Sequence, residues 1–321
     1  MRSGNYEVAM PLLMTYEPSG KIHPAGLFGL PLLAAISSSV LACFYIWAAW
    51  HCPVVILRAF LPAVWGLLTG IFAGLGVYWF NIRSPKLAVV LSLAGALAGY
   101  ALSWALWTDL ALSRPDLAFF VKKTAAGYRG DLAGNILDRS VALILNPDRI
   151  INAAKFAYDH GLWEVFRSGR NFTGPALIVI WLAEAALYFT PVAYKSLVAA
   201  GRPFSESANS WLMKQPLPGI ADLPEGSELA IGRIKNGDVS YLNIAPREKK
   251  GLKSSHLVLT LFTPEEPDDW SFVSVTHMRV SKRGRLEPEE LVRNLAINPQ
   301  MARSLKSRFG PERNTSNHTK K

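Results

Sequence analysis

Up to about residue 200 the chain is built from long apolar runs, and beyond it from short runs in which apolar and polar positions alternate. Four of the long runs, 26–50, 54–80, 87–107 and 174–195, are each long enough to span the hydrocarbon of a bilayer. That thickness, about 30 Å, takes about 20 helical residues at 1.5 Å each. From 26 to 107 the only charged residues are Arg58, Arg83 and Lys86. Three such runs in succession, joined by tight links at 51–53 and 81–86, predict spanning helices and not the buried helices of a water-soluble core. Tyr45, Trp47 and Trp50 close the first run, Tyr78 and Trp79 the second, and Trp104 and Trp107 the third. Rings with a polar edge collect where hydrocarbon meets headgroups, so these positions mark interface belts.

Segment 108–173 separates the third run from the fourth. Asn146-Pro147-Asp148 predicts a helix start, with Asn as N-cap, Pro at the first position and Asp at the positive end of the helix dipole. Ile150, Ile151, Ala154, Ala157 and Tyr158 follow at helical spacing, and Gly161 is placed to end the helix. Residues 132–145 share this character. The segment therefore reads as amphipathic helices lying on the membrane or capping the bundle. After the fourth run, Pro203, Pro216, Pro218 and Pro224 predict a linker over 196–224. Strand-like runs follow at 229–234, 241–245, 256–262 and 271–280, with a turn signal at Asn236-Gly237-Asp238. Glu287-Pro288-Glu289-Glu290 predicts a helix that continues to Leu295, and a second helix is expected over 299–309. The expected fold is thus an α-helical multi-pass bundle of four transmembrane helices followed, at 225–310, by a small soluble α+β domain. Its antiparallel sheet has one wet face. Residues 1–25 form a polar N-terminal segment with no signal-peptide core, and 311–321 a disordered tail.

Composition sharpens this division. Of the 321 residues 50% are hydrophobic and 18% charged, but the charge is concentrated late: from Gly201 onward there are 19 basic and 14 acidic residues. The net charge of +10 would favour anionic headgroups beside a bilayer. Nucleic acid is not expected as a partner, because the basic residues are scattered and no binding motif frames them. The 81–86 link carries Arg83 and Lys86 whereas 51–53 carries no Lys or Arg, so by the positive-inside rule both termini are expected in the cytoplasm. Lys195, Arg202 and Lys214 agree, and 108–173 then faces outward.

Glu184 is the sharpest single residue, an acid near the middle of the fourth run. A carboxylate at that depth is costly unless protonated, paired or facing water, and so marks a functional candidate. Its best partner is Arg58 in the second run, with a depth difference of roughly 8 Å at 1.5 Å per residue; His51 is the alternative. A salt bridge that fixes packing competes here with a proton- or ion-linked role. Gly66, Gly70 and Gly74, together with Gly95 and Gly99, form smooth stripes that let backbones approach closely. Packing of the second helix on the third is the expected use, with homo-oligomerisation as the alternative. Two cysteines, Cys43 and Cys52, and six scattered histidines give no disulfide framework or metal-ligand spacing. No hydrolase, zinc-protease or nucleotide-binding motif is present, so no cofactor is expected.

Tyr16-Glu17-Pro18-Ser19-Gly20-Lys21, Tyr45-Ile46-Trp47 and the stretch from Pro203-Phe204 to Trp211 resemble an uncharacterised bacterial family of four-helix membrane proteins. The resemblance implies an inner-membrane location and, in relatives, a zinc-type Cys-x-x-Cys in the tail. Ser205 and Ala208 hold those places here, so metal binding would be lost. The first functional expectation is a scaffold or accessory protein that binds a protein partner through its cytoplasmic domain. A small transporter or ion-coupled protein using Glu184 and Arg58 is the second. A membrane enzyme built from Asp109, His160 and Glu164 is the third, and the chain is not primarily read as an enzyme.

Overall fold

The computed structural model describes residues 15–52, 55–113, 136–161, 163–165, 170–222, 228–243, 247–248, 255–264, 270–281 and 284–310. The chain divides into two compact units, Ser19–Gly201 and a second that combines the segment ending at Pro18 with the chain from Arg202.

In the first unit lie α1 (Pro24–His51), α2 (Val55–Trp79), α3 (Pro85–Ser113), α4 (Ile136–Leu145), α5 (Pro147–His160) and α6 (Pro175–Ala200). A short ribbon of β1 (Trp163–Val165) and β2 (Arg170–Phe172) precedes α6. Helices α1, α2, α3 and α6 are long and apolar enough to cross a membrane. Pro24 and Pro175 open their helices at positions where the missing N–H has no partner to lose. Pro53 disfavours helical backbone at the residue before it. Cys52 accordingly turns extended (φ −75°, ψ 115°), and its N–H closes α1 on the Ala48 carbonyl at 2.9 Å.

The four long helices form a ring in which α1 and α6 each pack on both α2 and α3. Helix α4 lies along α3, and α5 touches α3 and α6. The glycine stripes serve other partners than the pairing of the second helix with the third. Gly66, Gly70 and Gly74 face α6, while Gly95 and Gly99 face α1. Each stripe meets a helix carrying an internal proline: a Cβ at Gly70 would stand 2.8 Å from the Pro191 carbonyl oxygen, and one at Gly95 would fall on that of Pro31. The outward faces are apolar, with Leu32, Phe44, Trp47, Phe60, Val90 and Leu182 all exposed. Asn146 does not cap α5 as expected; its side chain turns back and donates to the Ala142 carbonyl of α4 at 2.8 Å. Gly161 does end the helix, at φ 71°.

The second unit begins with a hairpin of β3 (Phe204–Ser205) and β4 (Ser210–Trp211) and continues with β5 (Met213–Asp222), α7 (Glu228–Lys235) and a 3-10 turn (Ser240–Asn243). The remaining elements are β6 (Arg247–Glu248), β7 (His256–Thr263), β8 (Ser271–Val280), β9 (Leu286–Ile297) and α8 (Pro299–Phe309). Five strands make one antiparallel sheet in the order β6-β5-β7-β8-β9. Leu257, Leu259, Leu261, Val273 and Val275 line one face and bury it against Leu305 and Phe309 of α8 and Ile234 of α7. Helix α8 starts as the sequence predicts: the Asn298 side chain accepts the Met301 N–H at 2.8 Å, and Pro299 follows it.

Three elements differ from the sequence expectation. Residues 229–234 are helical, because Ile231 and Ile234 share a helical face and Arg233 and Lys235 complement the dipole at its end. Asn236-Gly237 closes that helix instead of joining two strands: Gly237 lies at φ 79°, its N–H bonds Ile234, and that of Asp238 bonds Arg233. Of the 241–245 run, the described residues through Asn243 form the 3-10 turn, with Leu242 buried. Residues 287–295 belong to β9 and not to a helix. Register irregularities opposite Val273, Val275 and Thr276 break the two-residue period, so Leu291, Val292 and Leu295 are all buried and mimic helical spacing. The sheet also takes in 213–222, which the prolines assign to a linker. Among the described residues β6 covers β5 at Ile220 and Ala221, so Pro216 sits where no described strand bonds the far edge of β5. The 311–321 tail lies outside the described residues.

One more strand contact comes from the N-terminal side. Thr15 bridges Leu295 on the outer edge of β9, the Tyr16 N–H donates to the Asn294 carbonyl at 2.8 Å, and the Tyr16 ring meets Phe272 edge-on at 5.4 Å.

Candidate site: a carboxyl among aromatic rings

Helix α6 places Trp181, Glu184 and Tyr188 on one face, at spacings of three and four residues, over roughly 10 Å of helix rise. Tyr188 is fully buried and stacks on Trp65 of α2 at 3.9 Å between centroids. Tyr45 of α1 stacks on Trp65 at 4.9 Å, and Tyr100 of α3 lies 5.8 Å from Tyr188. Trp181 meets Trp104 of α3 edge-on at 5.2 Å. The four helices thus each contribute rings to one cluster.

The polar atoms of Tyr188, Ser38 and Trp65 are satisfied by one another and by the backbone. Tyr188 donates to the Ala96 carbonyl at 3.1 Å and shares a short hydrogen bond with the Ser38 hydroxyl. The Trp65 indole N–H donates to the Ser38 carbonyl at 3.2 Å. Below them Ser196 donates to Ser92 at 2.8 Å. Such bonds hold helices together where apolar burial gives no drive.

Glu184 is the exception. One of its carboxyl oxygens, Oε1, is buried and has no hydrogen-bond partner among the described residues. Its charge is close enough to act on the phenols of both Tyr45 and Tyr100. The expected partner is not there: the Arg58 Nε donates to the Cys52 carbonyl at 2.5 Å, which closes the break between α1 and α2. His51 is also engaged elsewhere, its Nδ1 lying 2.8 Å from the Trp47 carbonyl. Both side chains stay at the helix ends, where broken backbone offers partners, and leave the depth difference unbridged. The residue as a whole is half-buried, with Ala183, Ala186 and Leu187 exposed beside it. It therefore stands at the flank of the bundle, not at the end of a polar path.

Sequence reasoning missed the ring cluster by assigning Tyr45 and Trp104 to interface belts. Trp47 and Trp79 do face outward, but Tyr45 and Trp104 turn inward. The legible signal was the shared face of residues 181, 184 and 188. Of the third constellation, Asp109 is buried in α3, while the side chains of His160 and Glu164 lie outside the described residues.

Two further polar groupings lie in the sheet unit. In the β3-β4 hairpin the Ser205 hydroxyl accepts the Ala208 N–H at 3.1 Å and contacts the Ser207 hydroxyl at 2.8 Å. Ser205 and Ala208 are the two places where the resemblance puts cysteines, and here a serine side chain closes the turn. At the far end of β8, His277 Nε2 lies 2.6 Å from the Ser255 hydroxyl, and its Nδ1 is 3.8 Å from Glu289, too long for a hydrogen bond. Glu289 instead takes Lys235 at 2.7 Å.

This grouping has a definite pH consequence. Burial pushes the His277 imidazole below its ordinary value, against the opposing pull of Glu289 and with help from Arg279 and His256. The unfolded chain then takes up that proton first, so the stability is complete above the ordinary value of 6.5 and is lost as pH falls below it. The hydrogen bond and charge of Lys235 hold Glu289 below its ordinary value of 4.5, so its contribution is kept above that pH and lost further into acid. Amide exchange of β8 and β9 at pH 7.5 and 5.5 should show protection falling between the two. His277→Gln should flatten that change; an unchanged difference in the variant would refute the assignment.

No family model matches the chain, and neither a curated protein nor a solved structure is found similar to it.

Proposed function

We propose that the chain is a multi-pass membrane protein that exchanges a proton or another monovalent cation at Glu184, as a small ion-coupled transporter. The observation that carries this reading is the buried Glu184 oxygen without a protein partner among the described residues, in the middle of a long apolar helix. A structural ion pair would use Arg58, which is occupied at Cys52. A carboxyl kept at that depth without a cation from the protein has room for one from outside. The accessory-protein reading rests on missing catalytic motifs and on a well-formed module beyond the last long helix, whereas the orphaned carboxyl points to a particular chemistry.

Membrane insertion is supported by the apolar outward faces of all four long helices. The pairing of Thr15 with Leu295 is compatible with insertion, since strand partners must share a compartment. An even number of crossings between residues 16 and 294 meets that requirement, and four helices supply it. Arg83 and Lys86 then belong to the same side as both ends, which the positive-inside rule makes the cytoplasmic face of the inner membrane.

The test is flux in proteoliposomes carrying an internal pH dye, driven by an imposed membrane potential, with proton, sodium and potassium offered in turn. Flux is expected in the parent chain and only background leak in Glu184→Gln. A parent that carries none of these ions, or a variant that carries them equally well, would sink the proposal.

A further inference from the structure

Resting on that reading, we propose that the Glu184 site takes a lipophilic organic cation, of the quaternary ammonium or phosphonium class, that enters sideways from the bilayer.

The chemistry of the surroundings disfavours a hard metal ion. Such an ion demands several oxygen ligands, typically about six. Here the Tyr188 and Ser38 hydroxyls and the Ala96 carbonyl are already committed to each other. In the four long helices the only other carboxylate is Asp109, at the end of α3. What remains around Glu184 is one negative charge and aromatic surface. The face of an aromatic ring attracts a cation within about 6 Å, and most strongly where water is excluded. Trp181 and Tyr188 flank Glu184 on its own helix face, Trp104 of α3 meets Trp181 edge-on at 5.2 Å, and Tyr100 of α3 lies 5.8 Å from Tyr188. A bulky, weakly hydrated cation satisfies both features, because it loses little hydration on entry and gains both the carboxylate and the rings.

The route points to the same class. Glu184 is half-buried at the bundle flank, next to exposed Ala183, Ala186 and Leu187. A hydrated metal ion would have to shed its water to cross this apolar wall, which a medium of low dielectric constant makes costly. An organic cation already dissolved in the bilayer meets no such barrier. The rings are closed on each other, with Tyr45 of α1 stacked on Trp65 of α2 at 4.9 Å between centroids. Parting those two rings would expose the faces of both.

The probe is tetraphenylphosphonium, with tetraphenylborate as an anion of the same shape, and the full chain in nanodiscs followed by tryptophan fluorescence. Saturable binding of the cation and not of the anion is expected, with affinity falling about tenfold or more in Glu184→Gln. Glu184→Asp, which keeps the charge, should retain most of the binding. Independently of any variant, the cation should protect Glu184 from modification by a hydrophobic carbodiimide, read by mass spectrometry of the α6 peptide. Binding that does not saturate, that the anion matches, that survives Glu184→Gln, or that leaves Glu184 unprotected overturns the proposal. If inorganic-ion or proton flux still depends on Glu184 in that case, the transport reading stands and only the organic class falls. If flux is absent as well, both fall.

Discussion

Gly66→Leu is expected to keep α2 and α6 from packing and to cost the protein its monodisperse fold in detergent. A Cβ at Gly66 would fall on the backbone of Tyr188, at its carbonyl group. Backbone cannot step aside as a side chain can, so the helices must separate along their whole contact. Overpacking of a tight core costs about 3 kcal/mol at the upper end of its usual range, and this contact belongs at that end. Tyr188 also carries the bonds to Ser38 and Ala96 and the stack on Trp65. Separation therefore takes the ring cluster with it. The control is on the same stripe: a Cβ at Gly74 meets nothing closer than the Lys195 carbonyl at 3.7 Å and Ala199 at 3.8 Å, which are ordinary contacts. Size-exclusion after stepwise heating should show Gly66→Leu lost at a far lower temperature than Gly74→Ala. Equal melting of the two would contradict the close approach of α2 to Tyr188.

Leu259→Ala is the corresponding experiment for the sheet. Leu259 is fully buried in the middle of β7 and faces Leu217 on one neighbour and Val275 on the other. Truncating a buried leucine costs about 2–5 kcal/mol, by lost transfer energy plus the cavity left behind. Against a total stability of about 5–15 kcal/mol for a domain, that is a large share. Amide exchange across β5, β7 and β8 should quicken by about one and a half to three and a half orders of magnitude, since about 1.4 kcal/mol is a factor of ten. Protection that stays at the parent level would mean that the sheet is not held by this core.

What could be read in advance followed from how local each signal is. The long apolar helices depend on length and composition alone, and their ends fall within a few residues of the runs that announce them, α3 excepted, which continues to Ser113. Helix α8 was legible because Asn298-Pro299 is a self-contained start signal. Strand β8 was legible because its alternation holds from Ser271 to Met278, and β7 as a short apolar run bounded by polar segments. Strand β9 was not, since its register shifts depend on what β8 presents across the sheet and no window of its own sequence contains that partner. The same holds for the site. Glu184 announced itself by being an acid in an apolar run, but its company did not. Arg58 was the nearest charge in depth, yet the end of α1 offered it a carbonyl first. Tyr45, Trp65 and Tyr100 look like any other aromatic in a spanning helix until four helices are folded around them.

The bond from Tyr16 to Asn294 also fixes an order of events. During synthesis the segment around Thr15 emerges before all four long helices and its partner strand after them. The outer edge of β9 can be closed at this point only when that early segment is still at hand, on the same side and not yet engaged elsewhere. A contact between residues so far apart in the chain contributes little to the speed of folding and closes late. It acts instead as a late clasp: Thr15 meets Leu295 only once the whole of Ser19–Gly201 has been made.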